Sequence, residues 1–219
     1  LEARFSRAAS RAEIAVFSST GGEPIASDTR ELGDQPPGTP LMITWPAIPG
    51  ASEGVGAPDV GRIDLKLHDP DGFYASVSLY PWSVQIPHEE VTFATDSAAI
   101  AATEAPKLET SYTRIAEALA KHKNLGPIRL YIAGHTDTVG APAYNLGLSQ
   151  RRAQSIAGWF RKRGLRLPVL YEGFGEFAPL VGTPDQTDEP RNRRVDYILA
   201  VEDPVLKATR HRPVWKRVP

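Results

Sequence analysis

Ile128-Arg129-Leu130-Tyr131-Ile132-Ala133-Gly134-His135-Thr136-Asp137-Thr138-Val139-Gly140 is the stretch on which the reading of this 219-residue chain turns. Ile128, Leu130 and Ile132 alternate with period two, which predicts a strand running into the turn Gly134-His135-Thr136-Asp137. Upstream, Thr103 precedes Leu108, Tyr112, Ile115 and Leu119, spaced four, three and four apart, a capped amphipathic helix with Pro106 tolerated in its first turn. Downstream, Ser149 offers an N-cap for a helix carrying Ala153, Ile156, Ala157 and Phe160 on one face, with Gly164 as its C-terminal stop. Val169 and Tyr171 open another strand, and Val195, Tyr197, Leu199 and Val201 form the last. With a first strand around Val91 and Phe93, the order is βαβαββ, an α+β layer with two main helices on one face of a mixed sheet.

The first 86 residues read differently. Short alternating runs (Ile14, Val16; Leu41, Ile43, Trp45; Ile63, Leu65, Leu67; Val77, Leu79) are separated by the turn formers Gly21-Gly22-Glu23-Pro24, Gly33 to Gly38 and Asp69-Pro70-Asp71-Gly72. This predicts an all-β, sandwich-like domain over residues 1–86, followed by the α+β domain over 87–203. The final stretch, 204–219, carries Lys207, Arg210, Arg212, Lys216 and Arg217 with no acid, and reads as a flexible basic tail, either solvated or in contact with phosphate.

Lys plus Arg total 25 and Asp plus Glu 26, so no long-range field draws the chain to nucleic acid, and none is expected as a partner. Cysteine is absent, which removes disulfides, thiolate metal sites and thiol nucleophiles. No apolar run approaches the ~20 residues that cross a bilayer. The chain opens Leu1-Glu2-Ala3-Arg4, so a signal, lipid anchor or membrane helix is expected upstream.

Polar residues are densest over 134–140, at Asn145 and over 148–153. Asp137 lies in the loop leaving a strand, and Arg152, three residues after Ser149, is expected in the first turn of the following helix. A cation there is opposed by the helix dipole, which favours anions at that end, so its presence asks for a reason. One reason is that Arg152 and the helix amides receive a carboxylate while Asp137 receives an ammonium, making the pair complementary to a zwitterionic amino-acid head. The other is that Asp137 and Arg152 simply pair with each other across the loop.

Gly134-His135-Thr136-Asp137-Thr138-Val139-Gly140, Tyr144-Asn145-Leu146-Gly147-Leu148-Ser149, Arg151-Arg152-Ala153, Gly173-Phe174-Gly175-Glu176 with Pro179, and Asn192-Arg193-Arg194-Val195 resemble, in order, the signatures of the OmpA-like peptidoglycan-binding domain. The resemblance covers residues 87–203. It implies non-covalent capture of the diaminopimelate of the peptidoglycan stem peptide, with Asp137 on the amino group and Arg152 on the carboxylate. Thr136, Asn145 and Leu148 would shape the pocket, Arg193 would flank it from the last strand, and Phe93 and Asp96 would contribute from the loosely matching segment 91–97. It further implies anchoring of the outer membrane or an envelope complex to the wall, a periplasmic location at the outer membrane, and an envelope protein as partner of the β-domain. No cofactor, metal or catalytic residue is expected.

A cell-wall amidase or hydrolase is the rival class. Its candidates, His135 with Asp137 or His88 with Glu89 and Glu90, lack the spacing of a metal site, and no nucleophile-elbow sequence surrounds any serine. A structural assembly protein whose domain has lost the ligand is the other alternative.

Overall fold

The computed structural model describes residues 2–44, 59–206 and 211–219, so Trp45 of the second alternating run and Lys207 and Arg210 of the tail lie outside the described residues. The chain divides into two compact units: residues 1–82 with His122–Gly126, and Ser83–Lys121 with Pro127–Pro219. The expected boundary at residue 86 moves to 82 because Ser83–Gln85 is itself a strand of the second unit.

In the first unit, β1 (Glu2–Arg4), β2 (Ala9–Ser18), β3 (Ala26–Gln35), β4 (Pro40–Met42), β5 (Val60–His68) and β6 (Tyr74–Leu79) follow in order. The main sheet has the order β3-β2-β5-β6, and β1 with β4 forms a separate ribbon. Ala12, Ile14 and Val16 of β2 and Ile63, Leu65 and Leu67 of β5 bury one face against Phe5, Leu41 and Ile43, which gives the sandwich-like core. The other face is charged, with Glu13 paired to Arg11 and Lys66, and Arg62 to Asp64. That is the period-two division expected of a strand with one buried side.

The second unit contains β7 (Ser83–Gln85), α1 (Ala105–Lys121), β8 (Arg129–His135), α2 (Pro142–Lys162), β9 (Val169–Gly175), β10 (Val195–Ala200) and β11 (Lys216–Arg217). The sheet order is β11-β9-β8-β10-β7, mixed because β8 and β9 run parallel while the other neighbours are antiparallel. The expected strand at Val91 and Phe93 is not one. After Ile86 donates its N–H to Tyr197 O at 2.8 Å, Pro87 has no N–H to continue the ladder, and the Val195 N–H is taken instead by the Glu90 carboxylate at 3.1 Å.

Leu108 and Ile115 of α1 and Ala153, Ile156, Ala157 and Phe160 of α2 are buried, and the Phe160 ring meets Tyr197 of β10 edge-on at 5.5 Å. Across the sheet, Leu206 and Trp215 pack on Tyr131, Ile198 and Ala200 and on Ala133, Phe174 and Ala178. The tail is therefore not wholly flexible: Trp215 seats its ring 5.0 Å from Tyr131, and Lys216 and Arg217 pair with β9. Apolar burial, not the basic charge, decides where this segment goes.

α2 begins at Pro142, with Ala141 as its N-cap, so Ser149 is no cap. Its hydroxyl, wholly buried in the third turn, donates to Leu146 O and accepts from Gly175 N–H, both at 2.9 Å. The helix backbone lies directly on the strands. A Cβ at Gly134 would stand 2.3 Å from Ser149 O, and one at Gly173 would stand 2.4 Å from Gln150 N. Gly134 and Gly173 are paired neighbours in β8 and β9, so together they make the flat place on which α2 rests.

The His135 ring ends β8 in the same core, stacked 5.4 Å from Phe174 with Nε2 3.2 Å from Asp196 Oδ2. Burial holds its pKa below the usual 6.5, against the opposing hydrogen bond to Asp196. His88 behaves oppositely: burial alone would lower it, but Glu90 and the Ile86 carbonyl raise it on balance.

Replacing Gly173 by alanine should push α2 off the sheet and cost about 1–3 kcal/mol, read as a lower urea midpoint; an unchanged midpoint would show that the contact is slack. A second expectation concerns pH. An unfolded imidazole gains its proton near pH 6.5 while buried His135 stays neutral, so its contribution is present above that pH and lost as pH falls toward the depressed folded value. His88, with a raised folded pKa, contributes fully below pH 6.5 and less as pH rises through its folded value. The stability deficit of His135→Phe relative to wild type, measured by urea unfolding, should therefore shrink between about pH 7.5 and 5. A deficit independent of pH would remove His135 from this linkage.

Candidate functional site

Beyond the end of β8 the chain turns out of the sheet, and Thr136 N–H donates to Gly175 O at 2.9 Å. Asn145, in the first turn of α2, holds the loop that follows. Its amide donates to Val139 O at 3.1 Å and to Glu176 Oε2 at 2.8 Å, with Asp137 O at 3.4 Å. Gln186 closes the loop from outside, accepting from Gly140 N–H at 3.1 Å and donating its own N–H to Thr138 O at 3.1 Å. Asn192 orders the preceding segment by accepting from Leu180 and Val181 N–H, both at 2.9 Å.

The result is a cleft of about 440 Å³ lined by Thr136, Asp137, Asn145, Leu148, Arg152 and Arg193, together with Phe93, Thr95, Asp96, Val139, Tyr144 and Asp188. Every site residue predicted from the sequence, including Phe93 and Asp96, reaches this one place. Their mutual arrangement differs from the expectation in two respects. Arg152 lies in the third turn of α2, not the first, so no helix-terminal amides stand beside it and the dipole argument does not apply. Arg193 projects from the C-terminal end of the short 3-10 turn Pro190–Asn192, ahead of β10 and not from it.

Asp137 and Arg152 are not paired with each other. The buried Asp137 carboxylate accepts from Arg193 Nη1 at 2.6 Å and from Val139 N–H at 3.2 Å. Arg193 also pairs with Asp188, and the two carboxylates raise its pKa. Arg152 is half-buried: its Nε donates to Ser97 O at 3.0 Å, its Nη2 approaches Ala94 O at 3.4 Å, and its guanidinium lies 5.1 Å from the centre of the Phe93 ring. Burial lowers its pKa, and nearby Arg193 adds to the effect, yet a guanidinium stays protonated at any physiological pH. Among the described residues, no carboxylate pairs with it. Tyr144, on the same rim, donates to Asp96 Oδ1 at 2.7 Å, which occupies the acid closest in kind.

The cleft thus has an acidic side, where Asp137 and Asp188 share one arginine, and a basic side at Arg152. Sequence reasoning missed Asp188 and the Tyr144–Asp96 pair. Tyr144 stood inside a recognised signature; Asp188 carried no local signal. Of the enzyme candidates, His135 faces Asp196 inside the core and not Asp137, whereas His88 does reach Glu90, at 3.3 Å, while its Nδ1 meets Ile86 O and its ring stacks on Tyr197 at 3.9 Å. No group of three or more His, Asp or Glu among the described residues is placed to hold a metal.

The OmpA family model matches residues 92–193, which include all of the cleft's lining. A peptidoglycan-associated lipoprotein of Legionella pneumophila is 32% identical over 161 residues, covering 72% of this chain and 88% of that protein. The outer-membrane lipoprotein YfiB of Pseudomonas aeruginosa is 35% identical over 98 residues, covering 44% of this chain and 56% of that one. Other relatives are much longer, and the chain spans only 11% and 24% of two of them. The crystal structure of the peptidoglycan-associated lipoprotein from Burkholderia pseudomallei is 24% identical with a TM-score of 0.38, covering 50% of this chain and 88% of that one. A relative 32% identical and spanned over 88% of its length, with the family pattern running through the strand, loop and helix that build the cleft, shows that the chain belongs to the OmpA family.

Proposed function

We propose that the cleft binds peptidoglycan non-covalently through the diaminopimelate of the stem peptide and so anchors the outer membrane or an envelope complex to the cell wall. The observation that carries this reading is the Arg152 guanidinium, half-desolvated on Phe93, satisfied among the described residues by backbone carbonyls alone, and sharing an open cleft with Asp137. A half-desolvated cation without an anion carries part of the cost of a buried charge, and a ligand carboxylate offsets it. The ammonium of the same amino-acid head goes to Asp137, whose two bonds leave lone pairs unused. Arg193 holds that carboxylate in place, Asn145 and Thr136 hold its loop, and Leu148 supplies an apolar wall.

Membership of the OmpA family, and relatives named peptidoglycan-associated lipoprotein, support this assignment and a periplasmic site of action at the outer membrane. The role is binding, not cleavage. The β unit serves as an interaction or spacer module.

Each charge-assisted hydrogen bond is worth about 1.5–3 kcal/mol when partly desolvated, so Asp137→Ala and Arg152→Ala should each weaken co-sedimentation with purified sacculi by about 10- to 100-fold. Their melting temperatures should stay close to wild type for Arg152→Ala and fall modestly for Asp137→Ala, which leaves Arg193 with the exposed Asp188 alone. Equal sedimentation of all three proteins would remove these residues from the site. Chromatography of muropeptides after incubation should show no new products, and released fragments would replace binding by hydrolysis.

A further inference from the structure

Among the described residues the main sheet of the β unit ends at β3 on one side and β6 on the other, and the two edges are built differently. β3 carries Asp28, Arg30, Glu31 and Asp34. Its ladder with β2 is broken by a register shift opposite Gly33 and Asp34, both in the left-handed region. Charge and irregularity of this kind are how proteins prevent a strand edge from pairing with another chain.

β6 has neither protection. Tyr74-Ala75-Ser76-Val77-Ser78-Leu79 contains no charged residue and no proline, and it pairs with β5 from His68↔Tyr74 to Ile63↔Leu79 without a shift. Among the described residues no other strand pairs with it. Tyr74 and Val77 are 59% and 47% exposed. Beside it lies a cleft of about 390 Å³ walled by Leu65, Leu67, Val77 and Leu79 of the sheet and by Glu2, Arg4 and Phe5, so among the described residues the apolar core of the unit continues to the edge and opens there.

We propose that β6 is the seam of a homodimer, in which two copies pair antiparallel through this strand about a two-fold axis at Val77 and extend the sheet across both chains. The strand is self-complementary in that register. Val77 meets its own copy, and the small Ala75 faces the large Leu79 of the second chain on the apolar face. Ser76 faces Ser78 on the outer face. Next in from the seam stand Lys66, opposite Ser76, and Asp64, opposite Ser78 and accepting its hydroxyl at 2.7 Å. Each outer row therefore runs from Lys66 of one chain to Asp64 of the other, and the register brings no like charges together. An isologous contact closes on itself and leaves no further edge of this type exposed.

The absence of cysteine makes the register directly readable. Directly opposed residues place their Cα atoms within disulfide reach, whereas Ala75 and its copy would be offset by four residues. The test is made on the full chain. Wild type should sediment as a dimer that dissociates on dilution, and Val77→Lys, which sets two ammonium groups face to face, should be monomeric at the same concentrations and melt like wild type diluted to the monomer. Under mild oxidation Val77→Cys should crosslink about tenfold or more faster than Ala75→Cys, or than Thr29→Cys on the guarded edge, as expected if only residue 77 meets its own copy. A wild-type chain that stays monomeric, or cysteine variants that crosslink at equal rates, would overturn the proposal.

Discussion

The close approach of α2 to β8 and β9 is the constraint from which the cleft follows. Helices normally lie on sheets with side chains between them, but at Gly134 and Gly173 the backbones themselves come together, and a methyl group would stand within 2.4 Å of helix backbone atoms. Ser149 converts that proximity into a bond by accepting from Gly175 N–H. These contacts sit at the carboxyl ends of two parallel strands, where loops leave a sheet and where ligand sites of α/β architecture collect. Because the helix is pinned there, Asn145, Leu148 and Arg152, at spacings of three and four, project along one face over the Asp137 loop. The site is thus an outcome of backbone packing, and its charged residues are carried by elements that cannot drift apart without breaking the core.

The electrostatic arrangement is asymmetric, and the asymmetry matters for chemistry. On the acidic side Asp137 is buried, and a buried carboxylate needs a partner; Arg193 supplies it while its own second bond runs to exposed Asp188. On the basic side Arg152 is held, among the described residues, by carbonyl dipoles and a ring face alone. Had the two predicted residues closed on each other, the cleft would be neutral and satisfied, with nothing for a ligand to add. Arg193 prevents this by taking Asp137 first, leaving Arg152 open. Phe93, a core residue by composition, instead gives the guanidinium a flat, poorly hydrated seat, which favours a ligand carboxylate over water.

Much of this was legible in the sequence, and the failures have specific physical causes. The apolar stripe of α2 and the strand before Asp137 were readable because periodicity reports burial. The start of α2 was not, since Asn145, Gly147 and Ser149 are poor helix formers and Ser149 looks like a cap; tertiary hydrogen bonds from Asn145 and Ser149 override that preference. β3 escaped notice because an edge strand bearing Asp28, Arg30 and Glu31 has no apolar alternation to show. The first strand of the second unit is expected around Val91 and Phe93 but is Ser83–Gln85, a three-residue element too short to carry a pattern. The Asp137–Arg193 pair spans 56 residues, and no local rule reaches that far.

A ligand recognised by one carboxylate and one ammonium on an open surface is bound through few contacts, and such a cleft cannot supply tight single-site affinity. Under the function proposed above the wall would compensate, because it repeats the same stem at high density and a tethered chain would sample many copies. Joining two chains through β6 would carry this further: once one cleft is occupied, the second searches at an effective concentration set by the tether, not by the bulk. On those two proposals the unprotected edge of the β unit and the cleft would be parts of one strategy, in which attachment strength comes from the number of engaged sites and each individual contact stays reversible.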